Sequence, residues 1–252
     1  MGQSAEYDWV YGLHAVQALL EHSPQQVVEM WLDRQRHDKR VKTIQALAEQ
    51  HGVAVQAVDS QTLEQHLGGV SHQGLAARVR ARAPLGEDQL GALLDAESAP
   101  LLLVLDGVQD PHNLGACLRS ADAAGVAAVI VPRDRACGLT STVRKVASGA
   151  AQSVPFVQVT NLARTLRQLK QRGIWIYGLA AEADGELYAL DLGGPTALVL
   201  GAEGRGLRRL TAETCDALVR LPMLGQVASL NVSVSAGICL YEALRQRRGA
   251  LQ

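Results

Sequence analysis

Asn113, Arg119, Glu203, Ser229 and Asn231 are the residues of this chain best placed to do chemistry. Each lies in, or just past, a loop that carries the chain from a strand-like apolar run into a helical one. The stretch from Arg220 to Ser235 shows the layout most clearly. A strand-like run ends at Pro222, a short loop with Gly225 follows, and Ser229 and Asn231 open a long apolar helix. One such residue is enough to cap a helix; two of them, two positions apart, leave a polar group for another task. The same order of strand, loop and helix surrounds Asp110-Pro111-His112-Asn113-Leu114-Gly115-Ala116-Cys117-Leu118-Arg119 and Leu200-Gly201-Ala202-Glu203-Gly204-Arg205-Gly206-Leu207. Ligands of open α/β sheets sit outside the carboxyl ends of the strands, where such loops gather, so three of them point to one site.

Asp110 is placed to cap a helix with Pro111 at its first position. That accounts for Asp-Pro but not for Asn113 or Arg119. Arg119 falls nine residues past Asp110, inside an otherwise apolar pattern of Leu114, Cys117, Leu118 and Ala121. An Arg there needs a partner or a ligand anion, and a surface or ion-paired Arg satisfies the pattern equally. In the second loop Gly201, Gly204 and Gly206 allow close approach of the backbone to a ligand. Their spacing is G-x-x-G-x-G, not the dinucleotide fingerprint G-x-G-x-x-G, and no acidic residue is placed downstream for a ribose. A nicotinamide dinucleotide site is disfavoured on that ground. Glu203, between the glycines, is not needed by a turn.

Elements must hold these loops, and the composition allows them. The chain has 252 residues, 48% of them hydrophobic, which suffices for one large domain or two ordinary ones. Only 4% are aromatic, so Leu, Val and Ala must fill the core. A net charge of -1 gives no global sign of a nucleic-acid partner. A local cluster, Arg34, Arg36, Lys39, Arg40 and Lys42, reads either as a phosphate-contacting face or as a solvated one partly neutralised by Asp33 and Asp38. Cys117, Cys137, Cys215 and Cys239 lack metal-binding spacing and read as reduced, partly buried thiols. Met1 to Trp9 is polar and acidic, unlike a signal peptide, and no apolar run is long enough for a bilayer. The expectation is a cytoplasmic protein with no membrane and no metal partner.

Six of the seven histidines (His14, His22, His37, His51, His66 and His72) precede residue 73, and only His112 follows. That skew and the Pro and Gly of Ala81 to Gly86 place a boundary there. The first piece reads as a small α/β unit. Leu13, Val16, Leu19 and Leu20 have helical spacing, Val27–Leu32 is a strand, and Val41, Ile44, Leu47 and Ala48 mark a helix ended by Gly52. A strand over Val53–Val58, a short helix capped by Asp59-Ser60 and a half-buried strand over Leu75–Arg82 complete it. The second piece alternates regularly. Strands are expected at Leu101–Leu105, Val126–Val131, Val154–Val159, Ile174–Leu179, Ala197–Leu200 and Leu218–Leu221. Helices are expected at Leu114–Ala124, Thr142–Ala150, Leu162–Arg172, Leu207–Cys215 and Leu230–Arg247. Near-continuous apolar strands between helices imply a parallel sheet covered on both faces.

Taken together, the three loops resemble the signature motifs of the SPOUT class of RNA methyltransferases, and more narrowly its SpoU (TrmH-type) ribose 2'-O-methyltransferases. The resemblance covers residues 99 to 252. Its motifs run from Asp110 to Arg119, from Val199 to Leu207, and from Leu221-Pro222-Met223 through Ser229-Leu230-Asn231 to Val234. In the first piece, Val10-Tyr11-Gly12-Leu13-His14-Ala15-Val16 and Ser71-His72-Gln73-Gly74 resemble the bacterial enzymes that act on a guanosine ribose of 23S rRNA, as does Gly149-Ala150-Ala151 in the second. The resemblance implies an L30e-like RNA substrate-binding domain over 1–82, a linker over 83–98 and a SPOUT α/β-knot domain over 99–252, with a parallel sheet and a deep trefoil knot. It also implies a homodimer with active sites near the subunit interface, and 23S rRNA or a ribosomal assembly intermediate as partner, the target lying in the peptidyl-transferase P-loop.

The cofactor implied is S-adenosyl-L-methionine. Gly201, Leu221 and Leu230 would contribute backbone contacts to it, and Met223 would line its pocket. Arg119 is the implied catalytic residue. A guanidinium has a pKa above about 12, so two roles stay open: a base in a strongly perturbing site, or a clamp on the adjacent phosphate that stabilises the developing alkoxide. Asn113 would position Arg119 or the ribose, and Glu203, Ser229 and Asn231 would organise the pocket. Gln152 stands where many relatives carry an acidic residue and is assigned no role. The rival readings are a tRNA ribose methyltransferase, a resistance-type rRNA methyltransferase and a non-catalytic RNA-binding protein that keeps the fold.

Overall fold

The computed structural model describes residues 7–249, so most of the polar Met1 to Trp9 stretch lies outside the described residues. The chain divides into two compact units between Arg82 and Ala83.

In the first unit the elements are β1 (Tyr7–Tyr11), α1 (Leu13–His22), β2 (Val27–Asp33), α2 (Lys39–Gln50), β3 (Ala54–Val58), α3 (Ser60–Leu67) and β4 (Leu75–Arg80). The sheet order is β1-β4-β2-β3, antiparallel except for β2 with β3. The strand β1 has no counterpart in the sequence reading; its polar Asp8 hides the period-two pattern. Val16, Leu20, Met30, Ile44 and Ala48 are fully buried between α1, α2 and the sheet. Asp38 and Asp59 cap α2 and α3, each side chain accepting a backbone N–H from the first turn. Gly12, before α1, has no side chain to do this, and Gln73 Oε1 accepts from Leu13 N instead at 3.1 Å. The Ser71–Gly74 motif therefore ties the start of β4 to the start of α1.

The second unit contains α4 (Glu87–Asp95), β5 (Leu101–Asp106), α5 (Pro111–Ala123), β6 (Ala128–Pro132), α6 (Ser141–Ala147), α7 (Ala150–Ser153), β7 (Phe156–Val159), α8 (Leu162–Gln171), β8 (Trp175–Leu179), β9 (Gly185–Glu186), β10 (Thr196–Gly201), α9 (Arg209–Thr214), β11 (Ala217–Arg220) and α10 (Val232–Gly249). Its seven strands run β7-β6-β5-β10-β8-β11-β9, all parallel. Alternation along each strand serves both faces. Leu101, Leu103 and Leu105 join α5, α6 and α10 on one side, while Leu102 and Val104 join α4 and α8 on the other. Full burial of each such Leu stabilises by roughly 1.5–3 kcal/mol, so the core, not helix propensity, fixes the frame.

Residues 83–98, expected as a linker, carry α4 and belong to this unit. Leu85 bridges to Val157, and Leu90 and Leu94 are buried against the sheet. The helix expected over Thr142–Ala150 is two, because Ser148 and Gly149 take positive φ of 50° and 95° and end the first. The last helix begins at Val232, two residues later than expected. Gly115 has a packing reason: a Cβ there would lie 2.6 Å from Val146 Cβ, so α5 and α6 approach only over a glycine.

Candidate active site

Because every strand of the second sheet is parallel, Asp106, Leu179, Gly201 and Arg220 all end at the same edge. The loops after three of these strands enclose a cleft of about 970 Å³. Its wall includes Gly201 and Glu203 from the loop after β10, Leu221, Met223, Ser229, Leu230 and Asn231 from the segment after β11, and Leu179, Glu182 and Glu186 from around the β8–β9 connection. The first two loops were expected from the sequence. The third was not, since Gly185–Glu186 is too short to show a period. Its one readable signal was the carboxyl end of the strand at Leu179.

Asn231 joins the three motif loops. Its Nδ2 donates to Asn113 Oδ1 at 2.9 Å and to Glu203 Oε1 at 2.6 Å. Its Oδ1 accepts from Ser233 N at 2.9 Å and from Ser233 Oγ at 2.6 Å. Asn231 is therefore the residue that caps α10. Ser229, which would cap a helix starting at Leu230 as the sequence suggests, lies exposed on the cleft wall three residues before the helix. Asn113 is buried in the first turn of α5, and its bond goes to Asn231 rather than to Arg119. Arg119 lies nearly two turns further along α5, exposed, outside the cleft of its own chain and without a hydrogen-bond or ion-pair partner among the described residues. Beneath the network, burial, with the charge of Glu203 adding to it, pushes Cys117 up to about 12, and burial takes Cys239 to about 12. Both are inert core thiols.

The glycines of the second loop act on the loop itself. A Cβ on Gly201 would lie 2.0 Å from the carbonyl carbon of Gly206, so Gly201 makes room for its own chain, not for a ligand. Gly204 and Gly206 take φ of 74° and 63°, the left-handed region that glycine occupies without strain. The result is a tight turn in which Ala202 O accepts from Gly206 N at 2.9 Å, with Glu203 held toward α10.

The basic cluster of the first unit is partly committed within that unit. Arg36 pairs with Asp38 at 2.8 Å, Arg34 Nε donates to Ala57 O, and Arg40 Nη2 lies 2.8 Å from His14 Nε2. Lys39 and Lys42 point to solvent. Among the described residues there is no group of three or more His, Cys, Asp or Glu able to hold a metal ion, and no helix is long and apolar enough to cross a membrane.

Comparison with known proteins gives this geometry a family. Residues 100–241 match the model of the SpoU rRNA methylase family, and residues 9–85 match that of the RNA 2'-O ribose methyltransferase substrate-binding domain. The 23S rRNA (guanosine-2'-O-)-methyltransferase RlmB of Pseudomonas aeruginosa is 57% identical over 244 residues, covering 96% of this chain and 98% of the relative. The protein of that name from Shewanella oneidensis is 55% identical over 241 residues, covering 96% and 98%. Among solved structures, the SpoU methyltransferase AviRb from Streptomyces viridochromogenes, in complex with the cofactor AdoMet, matches with a TM-score of 0.75 at 25% identity, covering 97% of this chain and 92% of that one. An RNA 2'-O ribose methyltransferase matches with a TM-score of 0.73 at 28% identity, covering 96% and 90%. On a family match across more than half of its length and relatives more than half identical along nearly all of it, the chain belongs to the SpoU rRNA methylase family.

Proposed function

We propose that this protein methylates the ribose 2'-hydroxyl of a guanosine in 23S rRNA, in the peptidyl-transferase P-loop, using S-adenosyl-L-methionine. The observation that carries the reading is the Asn113–Asn231–Glu203 network, which draws all three motif loops together at the rim of one cleft. The cleft fits the cofactor. Leu221, Met223 and Leu230 would give apolar surface for a flat base, and the carboxylates of Glu182 and Glu203 would face a ligand that carries positive charge, while Glu186 in the same wall is answered by Arg220 at 3.6 Å. The bound cofactor supplies a methyl group already activated by its sulfonium. What remains for the chain is to hold cofactor and acceptor in line, a proximity task. Gly201, Leu221 and Leu230 would hold the cofactor through the backbone, Met223 would line the wall, and Glu203, Ser229 and Asn231 would shape the rim.

We assign Arg119 a cationic role, clamping the phosphate beside the target ribose and stabilising the developing alkoxide. Its solvated position supports this over a role as base. Its place outside its own cleft supports a homodimer in which Arg119 of one copy serves the cleft of the other. The stripe of Val234 and Tyr241 on α10, each about half exposed, supports the same assembly. The return of α10 from beside the sheet edge to pack on α5 and β10 supports the deep trefoil knot that the family implies. We read residues 1–82 as the L30e-like RNA-binding domain, with Lys39 and Lys42 free for phosphates.

The test is ribose-methylation mapping of 23S rRNA from cells with and without this gene, rescued by wild type or by Arg119→Ala. Loss of one 2'-O-methylguanosine, restored only by wild type, is the expected result. An unchanged rRNA map redirects the search to tRNA, and an unchanged tRNA map after that leaves an RNA-binding protein without catalysis.

A further inference from the structure

Asp106 ends β5, and its side chain is shut off from solvent. It pairs in register with Gly201, the residue from which the loop after β10 departs. A buried carboxylate is tolerated only when its charge is answered. Among the described residues, Arg208 answers it. Arg208 donates its backbone N–H to Asp106 Oδ2 at 2.9 Å, and its Nε and Nη2 both lie 2.5 Å from Oδ1. Arg208 is where the same loop ends, just before α9. The loop thus leaves the sheet beside Asp106 and returns to it, with both feet on one strand end. Between the feet its hydrogen bonds among the described residues run within the loop, through Ala202 O with Arg205 N and Gly206 N, and to α10 through Glu203, while Leu207 packs against the core on the side of α4 and α8. The guanidinium is about half exposed, and neither hydrophobic core of the sheet includes it.

We infer that Asp106 and Arg208 form a clamp that holds the Gly201–Leu207 loop in its cofactor-binding shape, and so act as positioning residues. This rests on the reading of the cleft as the cofactor site. The clamp sets where Glu203 stands, and through Glu203 where Asn231 stands, while neither clamp residue needs to touch the cofactor. A lysine at 208 keeps the charge but loses the two-nitrogen fork, and the difference between the two side chains is therefore part of the proposal.

The experiment uses the full chain and S-adenosylhomocysteine as the probe. Arg208→Ala strands a buried charge and risks misfolding, so the informative variants are Arg208→Lys and the neutral pair Asp106→Asn/Arg208→Gln. Calorimetric affinity, melting temperature, hydrogen exchange at Arg205 and Gly206 in the ligand-free protein, and steady-state kinetics are compared with wild type. Expected is a loss of affinity of about tenfold or more in both variants, the worth of one charge-assisted hydrogen bond. Faster exchange at Arg205 and Gly206, a raised KM for cofactor and an unchanged KM for RNA accompany it. Equal affinity and equal exchange overturn the clamp, as does a raised KM for RNA alone, which makes Arg208 an RNA contact. A lower melting temperature with unaltered affinity overturns it too, leaving an ordinary structural ion pair. If wild type itself fails to bind the probe, or Leu221→Trp in the cleft wall does not block binding, the cofactor-site reading fails first, and that failure is recognisable because it appears without touching the clamp.

Discussion

Asn231 is the sharpest place to separate stability from chemistry, because its side chain does two jobs with two different atoms. Replacement by Ala removes both. Losing the cap on α10 costs about 1 kcal/mol. Leaving the buried Asn113 oxygen without a donor costs about 1–2 kcal/mol more. For a unit of this size a loss of about 2–3 kcal/mol lowers the melting temperature by roughly 5–10 °C. Replacement by Asp keeps the oxygen that accepts from Ser233 and places a negative charge at a helix N-terminus, which is favourable by about 0.3–1 kcal/mol. It also removes the donor to Asn113 and sets a second carboxylate against Glu203, where a donor now sits 2.6 Å away. Like charges at that range favour protonation of one carboxyl, so cofactor binding becomes more pH-dependent in Asn231→Asp than in wild type. The expected order of melting temperatures is wild type, then Asp, then Ala, with methyl transfer to 23S rRNA strongly reduced in both variants. Scanning calorimetry, S-adenosylhomocysteine titration across pH 5 to 8, and a methyl-transfer assay read this out. If Ala melts with wild type, or if Asp matches wild type in activity at all pH values, the network does not hold the site and the reasoning fails.

Arg119→Ala leaves melting temperature and S-adenosylhomocysteine affinity within error of wild type, since an exposed side chain without partners contributes within about 0.5 kcal/mol, yet methylation of rRNA collapses; a fall in cofactor affinity to match would place Arg119 in the cofactor site instead. Gly201→Ala puts a methyl group 2.0–2.4 Å from the backbone of Gly206 and Leu207, so it displaces the loop, and titration is expected to show cofactor affinity lost before the fold is. Acid stability depends on Glu87, whose carboxyl is held down to about 2 by the Thr160 hydroxyl first, and by Thr160 N–H and Arg164, against the opposing effect of burial. Its contribution, at most about 3 kcal/mol, is complete above its ordinary value near 4.5 and is lost as pH falls from there toward 2; denaturant melts of wild type and Glu87→Gln should converge over that window and differ above it.

The parallel sheet was legible because its strands are apolar on both faces, and Leu101–Leu105 or Ala197–Leu200 admit no other period. Elements that depend on tertiary contact were not. The helix α4 offers only Leu90 and Leu94 to the sheet, and Pro84 and Gly86 before it look like a linker until Leu85 is seen bridged to Val157. The break after α6 hinges on Ser148 accepting a left-handed backbone, which no composition rule anticipates. At the site, residue types were readable and partnerships were not. Asn113, Glu203 and Asn231 each stand out as surplus to capping or turning, but that one amide nitrogen serves the other two is a fact of three-dimensional closure. Ser229 and Asn231 are both good caps, and only the course of the loop decides between them. Asp106 drew no notice in the sequence because a carboxylate after an apolar strand reads as the strand's polar end; its burial shows only once Arg208 comes back to it.

Asn231 stands 118 residues after Asn113 and 28 after Glu203, and Arg208 stands 102 after Asp106. Contacts of such separation form late, because the entropy of closing the intervening chain must be met before they repay it. During synthesis the sheet centre can assemble from β5, β6 and β10 while the residue that draws the three loops together has still to be made. A nascent chain lacking α10 would carry two of its three motif loops and no connected site. The three motif loops therefore become one connected site only when α10 is in place, however early the sheet itself has formed.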